Sequence, residues 1–226
     1  MKPVIEKVIL HFISLTSSHF QSTQRNLYLC KNKNDMSKSL SELILKKFGW
    51  SLVLGIPEGL KKCVLIVAPH TSNWDFVIGR LCFNVIGLPT KFLIKKEAFF
   101  WPMGILLRKM GGIPVDRSRN NNVIKEVAQL FSQYDELIIT ITPEGTRKLS
   151  KNWKKGYYYI AELANVPIAV SFIDYGKKQA GISFLLAPSG DYDKDFERIR
   201  NLYLDKKAKF PENFNLSPIY QTKKTV

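Results

Sequence analysis

The chain contains few cysteines, few acidic residues and no long apolar segment. Its three cysteines, Cys30, Cys63 and Cys82, form neither a paired disulfide framework nor a metal-binding spacing, which favours a reducing compartment. No apolar run reaches the length of about 20 residues that a transmembrane helix needs. These shortages argue against a disulfide-stapled secreted scaffold and against a bundle of membrane-spanning helices.

Basic residues outnumber acidic ones by a wide margin. The chain has 34 Lys and Arg against 19 Asp and Glu, which gives a net charge of +15 and a pI of about 9.7. Such a surface favours anionic partners: nucleic acid, anionic lipid headgroups, phosphorylated substrates or an acidic carrier protein. The 226 residues are enough for one well-buried domain, and no internal repeat suggests a second.

The two ends of the chain differ in composition from the middle. Residues 1–35 hold a short apolar run interrupted by His11, then a polar stretch with no small-residue cleavage site. We expect residues 1–35 to be either a dispensable upstream extension or a weak membrane anchor. Residues 36–210 are expected to form the domain, and residues 211–226 a C-terminal tail.

Apolar runs alternate with amphipathic segments through the middle of the chain. Strands are predicted at residues 64–68, 91–94, 111–117, 137–142, 165–172 and 181–186, and helices at 37–48, 76–86, 123–134, 157–163 and 195–204. This alternation predicts a single α/β domain with a mainly parallel central sheet flanked by helices. Sites in such sheets form at the carboxyl ends of the strands.

His70 and Asp75 lie at the most informative of these strand ends. A short apolar run closed by Pro69 predicts a buried strand, and an amphipathic segment beginning at Asp75 predicts a helix. Pro69 and the cap-type residues Ser72 and Asn73 place His70 in the connection between strand and helix. On one continuous helix the two side chains would point about 140° apart, so their contact requires His70 to precede the helix.

The pair suits general-base chemistry. If Asp75 accepts a hydrogen bond from one ring nitrogen of His70, the other nitrogen can take a proton from an attacking group. No serine or cysteine in the connection stands out as a nucleophile, so the base would act directly on a substrate hydroxyl or amine. Taken alone, an ordinary capped histidine is the commoner explanation of such spacing.

A Pro-Glu-Gly-Thr-Arg turn follows the strand predicted at 137–142. Gly145 would allow close approach of a ligand, Thr146 adds a hydroxyl, and Arg147 offers a fork suited to phosphate. Arg117, at the end of another strand, could supply a second fork. Glu144 beside these cations is expected to be ionised and to grip a ligand hydroxyl or an arginine. A surface turn held by a salt bridge is the alternative for each piece alone.

Two apolar segments have basic borders. Residues 99–107 form the most apolar stretch of the chain, which either fills the core or forms a lip for an acyl chain or a bilayer. Leu40, Leu43, Ile44 and Phe48 recur at helical spacing. That stripe predicts a helix that packs on the core or lies on a membrane surface.

The order of these motifs resembles a known family. His70-x4-Asp75, Gly-Ile-Pro-Val-Asp-Arg ending at Arg117, Pro-Glu-Gly-Thr-Arg ending at Arg147, and Val166-Pro167-Ile168 resemble the four sequence blocks of the glycerolipid acyltransferases typified by 1-acylglycerol-3-phosphate acyltransferase. The resemblance implies a glycerol-3-phosphate acyltransferase-like fold. It also implies that the histidine is the catalytic base, oriented by Asp75.

The same resemblance implies substrates and site residues. Arg117, Glu144, Gly145, Thr146 and Arg147 would bind the acceptor, often through its phosphate. The acyl group would come from acyl-CoA or an acidic acyl-carrier protein, with no metal and no bound cofactor. Thr142 stands where many members have phenylalanine, and the second block lacks the common Phe-Ile-Asn-Arg form, so the acceptor stays open.

The sequence therefore predicts an acyltransferase that modifies a hydroxyl of a lysolipid, with 1-acylglycerol-3-phosphate as the first candidate acceptor. We expect it in the cytoplasm, bound peripherally to the anionic inner face of the membrane, with no nucleic-acid partner. One alternative is an acceptor without phosphate, such as an amino-acid lysolipid. Another is a basic lipid-binding protein without catalysis. A metal-dependent phosphoesterase is a third class, but the sequence shows no His/Asp cluster with ligand spacing.

Overall fold

The computed structural model describes residues 37–54, 60–116 and 120–216. In chain order its helices and strands are α1 (37–47), β1 (Ser51–Leu54), β2 (Lys62–Ala68), α2 (Asn73–Ile86), β3 (Thr90–Lys95), α3 (Met103–Lys109), β4 (Gly112–Val115), α4 (Asn120–Gln133), β5 (Leu137–Ile141), α5 (Gly156–Ala164), β6 (Ile168–Asp174), β7 (Gln179–Leu186) and α6 (Tyr192–Tyr203). Short 3₁₀ turns cover Lys96–Ala98 and Pro211–Asn213.

The strands form one sheet in the order β1-β7-β6-β2-β5-β3-β4. Each neighbouring pair runs parallel except β6 and β7, which are antiparallel. The predicted α/β fold with a mainly parallel sheet is therefore confirmed. Strand β1 was not predicted, because its four residues give too short a pattern to recognise and it pairs only with β7 at the sheet edge.

Strand β2 is the centre of the core, and both of its faces are covered. Val64, Ile66 and Ala68 point to the layer that contains α4, α5 and α6, whereas Cys63 and Leu65 point to the layer that contains α2. Both faces exclude water, which explains why this strand is apolar at every position from Cys63 to Ala68 rather than alternating. The same burial fixes the position of the connection that carries His70.

Helix α1 does not bury the stripe that its periodicity suggested. Leu40, Leu43 and Phe48 are exposed, while Ser41 and Leu45 are buried. The Asn84 side-chain amide on α2 donates hydrogen bonds to the Ser37 and Ser41 hydroxyls, at 2.6 and 3.2 Å. These contacts hold the serine face of α1 against α2, so much of the apolar stripe points to solvent.

The C-terminal tail was predicted to begin at residue 211, but the packed domain continues to residue 216. Residues 211–216 pack on the domain instead of extending from it: the Trp153 indole donates to the Asn215 carbonyl at 3.0 Å, and the Asn215 amide donates to the Ser150 carbonyl at 2.9 Å. Phe214 lies against the Trp153 ring, with centroids 6.5 Å apart. Apolar burial at Phe214 and Leu216 outweighs the polar composition that suggested a tail. Residues 217–226 lie outside the described part of the chain, as do residues 1–36.

Candidate active site

His70 lies two residues beyond the end of β2, directly before helix α2. The helix begins at Asn73, two residues earlier than predicted, because Ser72 is its N-cap and accepts a hydrogen bond from the Trp74 amide. Asp75 occupies the third helical position and completes a capping box with Ser72. The predicted placement of His70 ahead of the helix is therefore what the structure shows.

Asp75 is buried, and its carboxylate accepts hydrogen bonds from three donors. Its Oδ2 accepts from the backbone amides of Thr71 and Ser72, both at 2.7 Å, and its Oδ1 accepts from the Tyr175 hydroxyl, also at 2.7 Å. The His70 Nδ1 lies 3.4 Å from Oδ2. Burial opposes ionisation, but the facing imidazole of His70 and the hydrogen bonds from Tyr175 and Ser72 outweigh it, so the pKa of Asp75 is lowered. A carboxylate is thereby held against Nδ1, and Nε2 is the ring nitrogen of His70 that remains available to another partner.

Glu144, which follows the neighbouring strand β5, forms a hydrogen bond with the His70 backbone. Strands β2 and β5 are parallel neighbours, so the residues after them reach the same place, and the His70 amide donates to Glu144 Oε1 at 2.8 Å. Glu144 is only 2% exposed, and Oε2 has no hydrogen-bond partner among the described residues. The expectation that nearby cations keep it ionised is wrong: burial raises the pKa of Glu144 to about 7. In the structure it holds the backbone at His70, and its predicted part in binding the acceptor stays a prediction.

Three successive amides of the connection are already engaged. Those of His70, Thr71 and Ser72 donate to the carboxyl groups of Glu144 and Asp75. Backbone amides at a helix start are frequent donors to a developing oxyanion. At this helix start, however, these three amides fix the loop that carries His70.

An open cleft of about 760 Å³ leads to His70, a volume within the range of roughly 300–1,000 Å³ typical of ligand pockets. Its walls come from α2, β3, α4, β5 and α5. The apolar lining includes Phe76, Phe83, Phe92, Leu93, Val123, Ile124, Ile141 and Ile160. A cleft with such walls beside the His70 imidazole has room for an apolar chain next to a polar side chain.

The charged side chains that line the cleft are mostly cationic. Arg80, Lys95 and Lys154 contribute ammonium or guanidinium groups, and Asp75 is the one acidic lining residue in the part of the chain that the structure describes. Lys154 lies over Gly145, which has a φ of +69°, and a Cβ at Gly145 would come 2.9 Å from Lys154 Cε. Glycine at this turn therefore allows Lys154 to lie against the backbone.

The predicted acceptor-binding residues are only partly brought together. Gly145 lines the cleft, whereas Thr146 and Arg147 are exposed and do not line it. Arg117 lies outside the described residues. Strand β4, which precedes it, is three strand spacings from β2, about 14 Å across the sheet. Binding roles for Thr146, Arg147 and Arg117 stay predictions.

Sequence reasoning missed Tyr175, Arg80 and Lys154. Tyr175 follows β6 by one residue and lies a hundred positions from Asp75, so no local spacing signals their contact. Arg80 falls within a helical pattern, where an arginine is normally solvated. Lys154 belongs to a basic loop that resembled a surface feature. Only the packing of the sheet brings Tyr175 to Asp75, and Arg80 and Lys154 to the cleft.

Comparison with known proteins places this site in a family. The family model described as Acyltransferase matches residues 22–172, about two thirds of the chain. The chain belongs to the acyltransferase family. The enzyme is thus a transferase of acyl groups, and the matched range contains both His70 and the Glu144 turn. No curated protein sequence matches it significantly.

A solved structure shares the fold of this acyltransferase. It is the 1-acyl-sn-glycerophosphate (LPA) acyltransferase PlsC from Thermotoga maritima, with a TM-score of 0.50 and 16% sequence identity over 77% of this chain and 81% of that chain. At this identity the likeness establishes the architecture. It leaves the substrate of the present enzyme to be argued from its own site.

Tyr175→Phe should lower kcat about threefold to tenfold with little change in the KM of either substrate. Phenylalanine keeps the ring that packs edge-on against Trp50 but removes the hydroxyl that donates to Asp75. Losing one hydrogen bond to a charged group weakens the orientation of the carboxylate against His70. Steady-state kinetics would measure this, with Tyr134→Phe, at an exposed position, as the control. An unchanged kcat would mean that Asp75 is held adequately by the backbone amides alone.

Proposed function

We propose that the enzyme transfers a fatty acyl group from acyl-CoA or an acyl-carrier-protein thioester to a hydroxyl of a lysophospholipid-type acceptor. The first acceptor to test is 1-acylglycerol-3-phosphate. The observation that carries the proposal is His70, backed by the Asp75 carboxylate, in the lining of a cleft whose other walls are mostly aliphatic and aromatic side chains. PlsC, which shares the fold, is an acyltransferase of 1-acyl-sn-glycerophosphate, and this supports the choice of acceptor.

His70 acts as the general base in this reaction. Nε2 takes the proton of the acceptor hydroxyl as its oxygen adds to the thioester carbonyl carbon. The resulting tetrahedral intermediate collapses with cleavage of the C–S bond, and the imidazolium returns the proton to the departing thiolate. The products are an ester and a free thiol. Asp75 stabilises the transient imidazolium, because its carboxylate faces Nδ1.

An acceptor panel tests the proposal. Purified enzyme would be mixed with acyl-CoA or acyl-carrier protein and with 1-acylglycerol-3-phosphate, other lysophospholipids or an amino-acid lysolipid, and released thiol would be followed with and without a chelator. We expect acceptor-dependent thiol release that the chelator does not change. Release that requires a metal, or no consumption of either thioester with any acceptor, would contradict the proposal. A preference for the amino-acid lysolipid would retain the reaction and replace the acceptor.

We propose further that the enzyme meets its acceptor as a peripheral protein on an anionic membrane. No helix within residues 37–54, 60–116 and 120–216 is long and apolar enough to cross a bilayer. Phe100, Trp101, Met103, Ile105 and Leu106 are exposed side chains around the start of α3, and we call this group the apolar lip. Trp101 is 83% exposed. Single exposed apolar residues are ordinary, but five within seven positions indicate a contact surface.

Cations border the apolar lip on both sides. Lys95 and Lys96 precede it, Arg108 and Lys109 follow it, and all four are exposed. Lys95 also lines the cleft, so the lip adjoins the route to His70. Each basic residue near an anionic surface adds about 1 kcal/mol of attraction. The exposed leucines of α1, Leu40 and Leu43, provide a second apolar surface that could enter the headgroup region.

Phe100→Glu combined with Trp101→Glu should abolish most binding to anionic vesicles without unfolding the protein. The two changes remove apolar area and add two negative charges where the wild-type surface faces the lipid. Sedimentation should show the wild type bound to anionic vesicles, weakly bound to neutral ones, and released by high salt. Removing residues 1–35 should matter less.

Leu163→Glu combined with Leu204→Glu is the matched control. Both leucines are exposed and lie outside the apolar lip and α1, so this variant changes the net charge equally and should bind like the wild type. Equal loss in both variants would assign binding to overall charge. Binding that survives high salt and alkaline carbonate would indicate an integral anchor instead.

A further inference from the structure

Arg80 is a cation of the cleft, and no acidic side chain among the described residues pairs with it. It lies on α2 one turn after Phe76, and both side chains line the cleft. Its side chain is half-buried. None of the ion pairs formed by the described residues includes Arg80, so no carboxylate of those residues lies within 4 Å of its guanidinium. Burial lowers the pKa of the guanidinium, and no neighbouring charge offsets the effect.

An unpaired, partly desolvated charge is unfavourable in the empty protein. Most arginines in folded proteins are either fully hydrated or paired, since transferring a charge out of water without a partner is costly. An anion bound beside Arg80 would therefore offset the free-energy cost of its partly desolvated charge. The guanidinium presents parallel N–H groups that match two oxygens of one phosphate.

The position of Arg80 suits a group that enters the cleft with the reacting hydroxyl. Arg80 is seven residues along α2 from Asn73, about 10 Å of helix, and helical side chains lean towards the N-terminus, which shortens the distance to His70. In a glycerol phosphate headgroup the free hydroxyl and the phosphate are on neighbouring carbons, so both must lie inside the cleft. The phosphates of CoA are separated from the thioester by a long flexible arm and can stay outside.

We infer that Arg80 binds the phosphate of the acceptor, a role that rests on the proposed acyl transfer to a phosphorylated acceptor. Lys95 and Lys154 are more exposed than Arg80 and add to the positive potential of the same cleft. In this arrangement Arg80 selects phosphate-bearing acceptors over neutral ones. Arg147, which the turn sequence favoured, is exposed and lies outside the cleft lining.

Arg80→Met tests the inference, because methionine keeps an unbranched apolar stem and removes the charge. The KM for 1-acylglycerol-3-phosphate should rise about tenfold or more, while the KM for acyl-CoA stays within twofold and kcat changes little. The preference for this acceptor over monoacylglycerol should fall by the same factor. Arg80→Lys, which keeps the charge but loses the fork, should fall between the wild type and Arg80→Met.

Thermal unfolding provides a readout that does not require turnover. Glycerol 3-phosphate should raise the Tm of the wild type and leave that of Arg80→Met unchanged. Without ligand, Arg80→Met should be as stable as the wild type or more stable, because it removes an unpaired, partly buried charge. Arg198→Met, at an exposed arginine on α6, controls for the loss of one positive charge and should retain the Tm shift and the KM of the wild type.

Three results would overturn the inference. They are an acceptor KM in Arg80→Met equal to that in Arg198→Met, a rise in the KM for acyl-CoA instead, or a Tm of the ligand-free Arg80→Met protein well below that of the wild type. The failure of the proposed function itself would look different, since the wild type would then transfer acyl groups to no acceptor. In that event the glycerol 3-phosphate Tm shift still decides whether Arg80 holds a phosphate.

Discussion

His70→Ala should reduce acyl transfer by at least about two orders of magnitude while the protein folds normally, because general-base catalysis contributes 10²–10⁴-fold. The side chain of His70 is 20% exposed and makes no hydrogen bond within the described structure other than its contact with Asp75. The backbone amide that Glu144 holds is retained by alanine. Loss of rate should therefore come without loss of stability, and it should appear in kcat.

Asp75→Asn in the same assay separates charge from position. The amide oxygen can still accept from Thr71 and Ser72, and the amide nitrogen can donate to a turned Tyr175 hydroxyl, so the cap and the fold should survive. The negative charge beside Nδ1 is lost. We expect a strong loss of kcat with an ordinary Tm, because the imidazolium formed during proton transfer is no longer stabilised.

Rates and folding must be measured on the same preparations. Circular dichroism and Tm would establish the fold, and released thiol would measure turnover with 1-acylglycerol-3-phosphate and acyl-CoA. A folded His70→Ala protein with near-wild-type turnover would falsify the general-base mechanism. A normal rate in Asp75→Asn would limit Asp75 to capping α2 and positioning the loop.

The fold was predictable where the sequence pattern is long and both faces of a strand are buried. Strands β2, β5 and β6 are mostly apolar, and each was located within a few residues. Strand β1 was missed, since four residues at a sheet edge carry little pattern. Helix α1 was located correctly, but its buried face is set by hydrogen bonds from Asn84, which lies 43 residues from Ser41. Periodicity alone cannot encode such a partner.

The contact between His70 and Asp75 was predictable because His70 lies in one strand-to-helix connection and Asp75 in the first turn of the helix that follows. His70 and Asp75 depend on Pro69 and a capping box, and both are local signals. The surrounding groups depend on which strands are neighbours. Tyr175 and Glu144 reach the pair because β6 and β5 flank β2, an order that no stretch of sequence states. The ionisation of Glu144 was wrongly predicted for the same reason: its surroundings are buried side chains from distant elements, not the cations next to it in sequence.

Glu144→Gln should make the protein more stable at pH 8 than the wild type, by an amount that disappears towards acidic pH. The folded-state pKa of about 7 exceeds the usual value of 4.5, so between these pH values the folded protein keeps a proton that the unfolded chain has released. Wild-type stability therefore falls as the pH rises from about 4.5 to 7, and the full penalty is present above pH 7. Glutamine cannot ionise, and its oxygen can still accept from the His70 amide.

The size of this effect follows from the shift. A change of about 2.5 pKa units corresponds to roughly 3 kcal/mol, most of which develops between pH 5 and pH 8. Urea unfolding at both pH values should thus show that the stability difference between Glu144→Gln and the wild type grows by about 2–3 kcal/mol at the higher pH. Glu136→Gln, at an exposed position before β5, should show little change. If the Glu144→Gln difference stays constant or shrinks with rising pH, Glu144 is already ionised in the folded protein, and the carboxyl group that holds the His70 backbone carries a charge.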